Sequence, residues 1–432
     1  MPEHKMKGDE LLSMLKSSVP AEKSSATDDE ALHLSEEDMK WWQDAKLGLF
    51  VHWGVYSVIG RGEWAYYNEQ IAPDSYRKNA EEDFHPSRPA QDITDSWLSL
   101  AKDAGMKYAV MVTRHHDGFA MWDSASSRDG FTSVKCGPKA DYVRAFTDSC
   151  KSYGLHTGLY YSPMDWRFEG YFDPKEHPES ALEMKEQAYS QLYELCSDYG
   201  RVEILWYDGG WLNHQGSDAD AAWLWEPVKL NHMVKSLQPK IIVNPRSGYV
   251  GDFSCEEGAY PVTGKIRKAP WEKCMSVASS WGYIKDDYVY PGEYLIRQLV
   301  DTASRGGNLL LNISPDGEGN IPDAVKGSLG VLGEWVRQNG ESIYGTRGGI
   351  WEPIDGVCGS TYRDDTVYLH ILDAEKFKSV KLPTPKKRIV SSELLSGGRV
   401  DFKSDEDGVI FELPCGVTND IVPDIIVKIQ LG

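Results

Sequence analysis

Apolar runs that end abruptly in a polar or aromatic cluster recur along this chain, and they constrain its fold more than any other feature. The clearest case is Ile204–Trp211, where an apolar run leads into Asp208, two glycines and Trp211. This pattern is typical of a buried strand that delivers a carboxylate to an aromatic pocket. Strand-like runs are predicted at Leu47–Val51, Tyr108–Val112, Thr157–Tyr161, Val202–Trp206, Ile241–Val243, Met275–Ala278 and Asn308–Asn312.

Amphipathic helical patterns lie between most of these runs, so the chain reads as roughly seven strand–helix repeats. We therefore predict a (β/α)8-like catalytic barrel of the TIM type over residues 36–348, with room for an irregular strand or helix. Such a barrel places its active site at the C-terminal ends of its strands. Residues 1–35 are predicted to form a polar extension with one short helix near Glu10–Leu15.

The pattern changes after a predicted helix at Asp323–Gly340. Residues 349–432 show alternating apolar positions and turn residues, as in Val367–Ile371, Ser379–Leu382, Val409–Leu413 and Ile425–Ile429. This alternation predicts an antiparallel β-sandwich, and no constellation in it suggests chemistry, so we expect it to serve packing or stability.

Composition narrows the classes of partner. The net charge of −20 disfavours nucleic acid, whose phosphates would be repelled. The seven cysteines form no CxxC pair, which favours reduced thiols over a disulfide framework. The polar N-terminus has no apolar signal-peptide segment, and no run of about 18 apolar residues predicts a membrane span. We expect no membrane partner and a cytoplasmic location.

Five strand ends carry polar or aromatic clusters, and one functional site explains them better than five unrelated buried groups, which would cost roughly 1–3 kcal/mol each if unpaired. The clusters are His52-Trp53-Gly54, His115-His116-Asp117, Tyr160-Tyr161-Ser162 with Asp165-Trp166, Asp208, and Asn244-Pro245-Arg246. Adjacent histidines on a strand point to opposite faces, so His115 and His116 would not share a metal ion without a bend or bulge. We therefore expect no metal ion and no cofactor.

Two carboxylates flanking a glycosidic bond are the requirement of glycoside hydrolysis, and aromatic walls suit the C–H faces of sugars. Asp208 is the natural nucleophile because it ends a strand among Trp206, Tyr207 and Trp211. The second carboxylate must come from a predicted loop. Glu256, Glu257 and Glu272 are all candidates.

The chain from about Trp41 to Trp351 resembles the α-L-fucosidases of glycoside hydrolase family 29. The motifs fall in the family's order and cover nearly the whole predicted catalytic portion. They are Gly48–Gly54, Glu63-Trp64, His115–Phe119, Tyr160–Ser162, Leu205–Gly209, Asn244–Arg246, Ser280–Tyr283 and Gly307–Asn312.

This resemblance implies a retaining exo-α-L-fucosidase with Asp208 as its nucleophile. It also implies that eight residues contact the sugar or lie beside the catalytic pair, namely His52, Glu63, Trp64, His115, His116, Tyr161, Trp206 and Arg246. Strand register decides whether Tyr160 or Tyr161 faces the sugar, and Tyr161 is preferred. The implied partner is a fucosylated oligosaccharide or glycoconjugate of undetermined linkage, and a homo-oligomer remains an option.

The acid/base position departs from the family pattern. Many bacterial members carry Asp-Phe-x-Thr-Pro-Glu, whereas this chain has Asp252-Phe253-Ser254-Cys255-Glu256-Glu257. Counting along the motif puts Glu257 at the acid/base position. Glu256, one residue away, ranks second, and Glu272, which resembles an alternative position considered for other members, ranks third. Two alternatives stay open, an exo-glycosidase of another specificity such as a galactosidase and an inactive sugar-binding protein. An apolar patch for the C6 methyl of fucose would favour the fucosidase, with Phe50, Trp281 and Tyr283 as candidates.

Overall fold

The computed structural model describes residues 26–420 and 422–432. The predicted helix near Glu10–Leu15 and most of the predicted extension lie outside the described residues. The α-helices span Glu36–Ala45, Val55–Ile59, Ala65–Asn68, Pro73–Lys78, Ala90–Asp103, Tyr142–Tyr153, Glu169–Phe172, Pro178–Asp198, Ala222–Trp225, Pro227–Leu237, Gly292–Ser304, Asp323–Asn339 and Ala374–Phe377. Within the described part of the chain, no helix has both the length and the apolar character needed to cross a bilayer.

Eight parallel strands form one curled sheet, which confirms the predicted barrel-like fold. They are β1 (Leu47–Val51), β2 (Tyr108–Arg114), β3 (His156–Tyr161), β4 (Ile204–Tyr207), β5 (Ile242–Val243), β6 (Ser254–Glu257), β7 (Trp271–Ser276) and β8 (Asn308–Ile313). Their order across the sheet is β5-β4-β3-β2-β1-β8-β7-β6. The helices between strands cover the outer face, as the strand–helix repeat predicts.

The sheet has its two edges at β5 and β6, and Asp252 covers the β5 edge. The Asp252 amide donates to the Val243 carbonyl (2.7 Å), and its carboxylate accepts from the Val243 amide (2.8 Å). β5 is only two residues long because Pro245 follows closely and has no N–H to donate to a ladder. The predicted barrel allowed for an irregular strand, and β5 is that strand.

Alternate residues of each strand face opposite sides of the sheet. The inner side holds Phe50, Val110, Tyr160 and Trp206, and Trp42 of the first helix packs into the same cluster. Their strand neighbours belong to the large outer core under the helices. Gly48 makes this inner packing possible, because a Cβ there would lie 2.3 Å from the ring of Tyr108.

Local sequence signals explain a typical outer helix, Tyr142–Tyr153. Asp141 caps its first turn by accepting from the Arg144 amide (2.8 Å), and Gly154 ends it in the left-handed conformation at φ +69°. The apolar stripe that includes Val143 and Phe146 is buried against the sheet. Capping and amphipathic spacing are sufficient to define such an element.

The C-terminal part is antiparallel, which confirms the predicted sheet type. A five-stranded sheet has the order β12-β15-β11-β10-β9, and β13 pairs with β14 in a separate ribbon. The strands span Arg347–Gly348 (β9), Cys358–Arg363 (β10), Thr366–Ile371 (β11), Ile389–Leu394 (β12), Asp401–Asp405 (β13), Gly408–Glu412 (β14) and Ile425–Leu431 (β15). These strands enclose their own apolar cluster.

Two strand predictions were wrong in ways that matter for the site. Residues 254–257, expected in a loop, form β6, and β7 begins at Trp271 rather than Met275. Both segments are rich in polar residues, so hydropathy did not identify them as strands. Their extended conformation comes from pairing with each other and with β8.

Candidate active site

A cavity of about 230 Å³ opens at the C-terminal ends of the parallel strands. It is lined by Phe50, His52, Glu63, Trp64, His115, His116, Tyr160, Trp206, Asp208, Trp211, Arg246, Glu257, Cys274 and Trp281. A larger hollow of about 650 Å³ lies near the first helix and the segments preceding β6 and β7, and none of the site residues predicted from the sequence lines it. The smaller cavity is therefore the candidate active site.

Asp208 and Glu257 are joined through Arg246. One terminal nitrogen of Arg246 donates to Asp208 Oδ1 (2.9 Å) and the other donates to Glu257 Oε2 (2.5 Å). The guanidinium also lies over the ring of Trp206, 5.1 Å from its centroid. A fork of this shape holds two carboxylates at a defined separation, so Arg246 acts as the spacer of the pair.

Asp208 also lies close to polar groups of β3 and of the segment after β2. Tyr160 donates its hydroxyl to Asp208 Oδ2 (3.0 Å), and His116 Nε2 lies 3.5 Å from the same oxygen. The side chain is partly open to the cavity, at 15% exposure. The carboxylate is thus oriented by its surroundings while one face stays accessible.

Glu257 and Glu256 are separated by strand alternation. Glu257 lines the cavity, where Trp281 Nε1 also donates to it (3.1 Å). Glu256 pairs with Arg267 and does not line the cavity. Because adjacent side chains of β6 point to opposite faces, only one of the two glutamates can reach the site.

Glu272, the third-ranked candidate, is enclosed in the barrel instead. It accepts hydrogen bonds from the Tyr108 hydroxyl (2.6 Å) and from Trp206 Nε1 (3.0 Å), and it does not line the cavity. Burial raises its pKa to about 7. Its direct contact with Trp206 makes it a support for the cavity wall.

Three histidines line the cavity together. β2 ends at Arg114 with a register irregularity, and the His115 carbonyl then accepts from the Gly118 amide (3.0 Å) in a turn. The backbone bend brings His115 and His116 to the same side, with ring centroids 4.1 Å apart, which is the exception that the expectation of opposite faces allowed. Even so, no group of three or more His, Cys, Asp or Glu side chains in residues 26–420 and 422–432 could hold a metal ion.

Burial keeps these imidazoles neutral. It lowers the pKa of His52 to about 4 and the pKa values of His115 and His116 well below their ordinary range. His52 Nδ1 lies 2.7 Å from Asn312 Oδ1, which can only accept, so the ring proton lies on Nδ1 and Nε2 is an acceptor. A neutral imidazole both donates and accepts, which suits sugar hydroxyl groups.

Tyr161 was predicted to face the sugar, but the structure places Tyr160 at the cavity instead. Tyr160 lines the cavity and contacts Asp208, whereas the Tyr161 hydroxyl lies in the outer core between Arg114 (3.0 Å) and Gln191 (2.9 Å). The two residues are neighbours on β3, so a register difference of one residue exchanges their faces. The sequence contained both hydroxyls and could not assign the face.

Glu63 and Trp64 form a further part of the cavity wall. Glu63 accepts from the Gly282 amide (2.6 Å) and from the Ser280 hydroxyl (3.2 Å), and burial raises its pKa. The Trp64 ring lies against that of His116, with centroids 5.6 Å apart. The remaining predicted residues Trp206 and Arg246 also line the cavity.

Sequence reasoning missed several supporting residues. Cys274 lines the cavity, and Asn312 holds both His52 and the Trp281 carbonyl (2.8 Å). Asp218 accepts from the Gly210 amide (2.8 Å), and burial followed by the charge of Asp208 raises its pKa to about 7. Only Asn312 stood in a recognised motif, at the end of Gly307–Asn312; the other two carried no local signal.

The chain is similar to known proteins over most of its length. The chain matches the family model described as alpha-L-fucosidase over residues 13–341. It is 33% identical to the plasma alpha-L-fucosidase of Homo sapiens over 417 residues, covering 87% of this chain and 85% of that protein. It is 31% identical to the tissue alpha-L-fucosidase of Rattus norvegicus, covering 87% and 86%. The solved structure of alpha-L-fucosidase isoenzyme 1 from Paenibacillus thiaminolyticus superposes with a TM-score of 0.80 at 29% identity, covering 93% and 100%.

Proposed function

The chain belongs to the α-L-fucosidase family of glycoside hydrolases, and from this premise we propose that it is a retaining exo-α-L-fucosidase acting by double displacement. The observation that carries the proposal is that Asp208 and Glu257 share the guanidinium of Arg246 inside one small cavity. Retaining glycosidases use two carboxyl groups about 5–5.5 Å apart.

Asp208 is the proposed nucleophile. It directly follows β4 and lines the cavity, and its oxygens are oriented by Arg246 and Tyr160. In the first step a carboxylate oxygen of Asp208 bonds to the anomeric carbon as the bond to the leaving-group oxygen breaks. The result is a covalent fucosyl-enzyme that water then hydrolyses.

Glu257 is the proposed acid/base. Its side chain is 40% exposed, so it can reach both a leaving-group oxygen and water. In its protonated form it donates the proton that the leaving group needs, and as a carboxylate it then takes a proton from the attacking water. Arg246 and Trp281 position its carboxyl group through hydrogen bonds.

The size and lining of the cavity support terminal deoxy-sugar recognition. Its volume of about 230 Å³ lies below the roughly 300–1,000 Å³ of drug-sized ligand sites, which suits one sugar ring. Phe50 and Trp281, with ring centroids 6.0 Å apart, supply an apolar wall for the C6 methyl group, whereas Tyr283 does not line the cavity. Neutral His52, His115 and His116 supply partners for the ring hydroxyls.

The test is hydrolysis of 4-nitrophenyl α-L-fucoside by the wild type, Asp208→Ala and Glu257→Ala, with and without azide. We expect Asp208→Ala to lose activity by about 10³-fold or more. Azide should revive Glu257→Ala and yield fucosyl azide of retained configuration, because azide needs no general base. Nuclear magnetic resonance of the first-formed fucose anomer checks retention in the wild type.

Matched controls separate the three glutamates. Glu256→Ala removes the carboxylate next to Glu257 on the same strand, which pairs with Arg267 and points away from the cavity. Glu272→Gln removes the charge but keeps a buried side chain that can support Trp206. Both should remain active without azide. Azide rescue of Glu256→Ala instead would move the acid/base, and a wild type that cleaves only a galactoside would overturn the specificity.

A further inference from the structure

A second aromatic surface lies beside the cavity and takes no part in the proposed mechanism. It is a groove of about 330 Å³, here called the aromatic groove, lined by Tyr66, Tyr67, Asn68, Gln70, Trp166 and Phe172. The first four residues follow β1, and the other two follow β3. The groove therefore belongs to the same C-terminal face of the barrel as the candidate active site.

The aromatic groove continues the wall of the cavity. Trp64 lines the cavity, and its ring centroid lies 5.1 Å from that of Trp166 and 5.9 Å from that of Tyr67. His116, which is close to Asp208, is 5.5 Å from Trp166 by the same measure. One set of touching rings thus extends from the catalytic centre to the groove.

The rings of the groove are held in place before any ligand arrives. Tyr67 is stacked on Trp166 at 5.2 Å and on Phe172 at 6.2 Å, and Trp166 donates its Nε1–H to His214 Nε2 (3.2 Å). Tyr67 nevertheless remains 38% exposed. Tyr67 thus offers a preformed, exposed ring that loses little conformational freedom when a ligand covers it.

The groove carries no charged side chain among its six lining residues, although the chain as a whole has a net charge of −20. Its polar groups are the side-chain amides of Asn68 and Gln70 and the tyrosine hydroxyls. A flat aromatic face edged by neutral donors and acceptors fits a pyranose, which has one apolar C–H face and a rim of hydroxyls. It does not fit an anionic ligand.

We propose that the aromatic groove binds the sugar from which fucose is released, the leaving-group residue of a neutral fucosylated oligosaccharide. This inference rests on the proposed fucosidase activity, because it places the rest of the substrate next to the fucose in the cavity. Its consequence is that oligosaccharides are better substrates than fucosides with a small leaving group, and that groove residues set this preference.

The experiment compares two substrates that share the fucosyl group. α-L-Fucosyl fluoride has no leaving-group sugar, whereas a panel of neutral α1,2-, α1,3-, α1,4- and α1,6-fucosylated oligosaccharides presents one. The measured quantity is the kcat/KM for the best oligosaccharide divided by the kcat/KM for the fluoride. We expect Tyr67→Ala to lower this ratio about five- to tenfold, mainly by raising the KM for the oligosaccharide, as for loss of an aromatic binding anchor. Asn68→Ala, at an exposed position, should lower the same ratio by a smaller factor.

Tyr288→Ala is the matched control, because Tyr288 is an exposed tyrosine after β7, across the curled sheet from β3, and lines neither the cavity nor the groove. Its ratio should equal that of the wild type. A ratio unchanged in both Tyr67→Ala and Asn68→Ala, with the fluoride still hydrolysed, would overturn the groove proposal alone. A ratio lowered only in Tyr288→Ala would place the leaving-group sugar on the β7 side of the cavity, and it would also overturn the groove proposal. A wild type inert towards the fluoride would defeat the proposed function itself.

Discussion

The cavity and the C-terminal five-stranded sheet both bury histidine and aspartate, but they use them differently. In the sheet, His370 Nδ1 lies 2.7 Å from Asp424 Oδ2 and its Nε2 lies 3.2 Å from the Thr361 hydroxyl, so both ring nitrogens have protein partners. In the cavity, His115 Nδ1 is buried without a hydrogen-bond partner in the described part of the chain. Both ring nitrogens of His370 are thus satisfied by the protein, whereas those of His115, which lines the cavity, are not both satisfied within the described residues.

The largest expected effect is on catalysis, and it tests the cavity side of the comparison. Arg246→Met removes the fork that holds Asp208 and Glu257. We expect kcat/KM on 4-nitrophenyl α-L-fucoside to fall about 10²–10³-fold, since losing one partner of a buried charge pair costs about 2–5 kcal/mol. Thermal unfolding should change far less than activity.

Arg267→Met is the matched control for Arg246→Met. Arg267 pairs with Glu256, the outward neighbour of Glu257, and stacks 4.2 Å over Trp271. Partly exposed ion pairs contribute about 0–1 kcal/mol, so activity should remain close to that of the wild type. Equal losses in the two variants would contradict the division between the faces of β6.

The next effect is on stability, and it tests the sheet side of the comparison. His370→Ala leaves the buried Asp424 carboxylate without its histidine partner. We expect the free energy of unfolding to fall by about 2–4 kcal/mol, as for breaking a buried polar pair, with kcat per folded molecule unchanged. Urea titration followed by fluorescence measures the first quantity, and active-site-normalised kinetics measure the second.

His33→Ala provides the reference for His370→Ala. His33 pairs with Asp28 on the surface, and both side chains are about half exposed. The expected change in unfolding free energy is about 0–1 kcal/mol. A loss of kcat in folded His370→Ala would show that the C-terminal sheet takes part in catalysis, against the comparison.

Lys46 sharpens the comparison because it is a buried group without a hydrogen-bond partner in the described residues and does not line the cavity. Its ammonium nitrogen has no hydrogen-bond partner in the described residues, and burial lowers its pKa from 10.5 to about 7. Lysine in the unfolded chain keeps its proton up to about pH 10.4, so wild-type stability should rise with pH between about 7 and 10.4.

Lys46→Met should therefore stabilise the protein, by about 1–3 kcal/mol at pH 6 and by less at pH 9. Urea titrations at the two pH values measure the difference. The exposed Lys386→Met should show no such pH dependence. A gain that is constant from pH 6 to pH 10 would mean that the cost of Lys46 does not come from its charge.

The smallest effect concerns Glu272, whose buried carboxyl supports Trp206 from behind the cavity. Burial raises its pKa from 4.5 to about 7, so the wild type should lose stability as pH rises from about 4.5 to 7. Glu272→Gln removes this cost, and we expect a gain of about 1–2 kcal/mol at pH 8 and almost none at pH 4.5.

The activity of Glu272→Gln tests whether Glu272 takes part in catalysis. Because Glu272 does not line the cavity, Glu272→Gln should keep kcat/KM within about threefold of the wild type, as for other substitutions away from a site. A loss of several hundredfold with rescue by azide would restore Glu272 as the acid/base.

Most of the barrel could be predicted, because apolar strand runs and amphipathic helices follow from local periodicity. The segments that could not be predicted are β6 and the start of β7. Ser254–Glu257 and Trp271–Cys274 contain several polar residues, and only pairing between neighbouring strands makes them extended. The acidic candidates were thus assigned to loops although they lie on strands.

The sequence by itself determined the order of the motifs, the parallel and antiparallel parts, and the set of carboxylates and imidazoles from which a site could be built. Only the tertiary structure decided between neighbours, placing Tyr160 and Glu257 at the cavity and Tyr161 and Glu256 away from it. The aromatic groove likewise exists only because the segments after β1 and β3 meet. The physical reason is that side chains alternate along a strand, so the side that each one faces depends on register and on contacts between segments far apart in the chain.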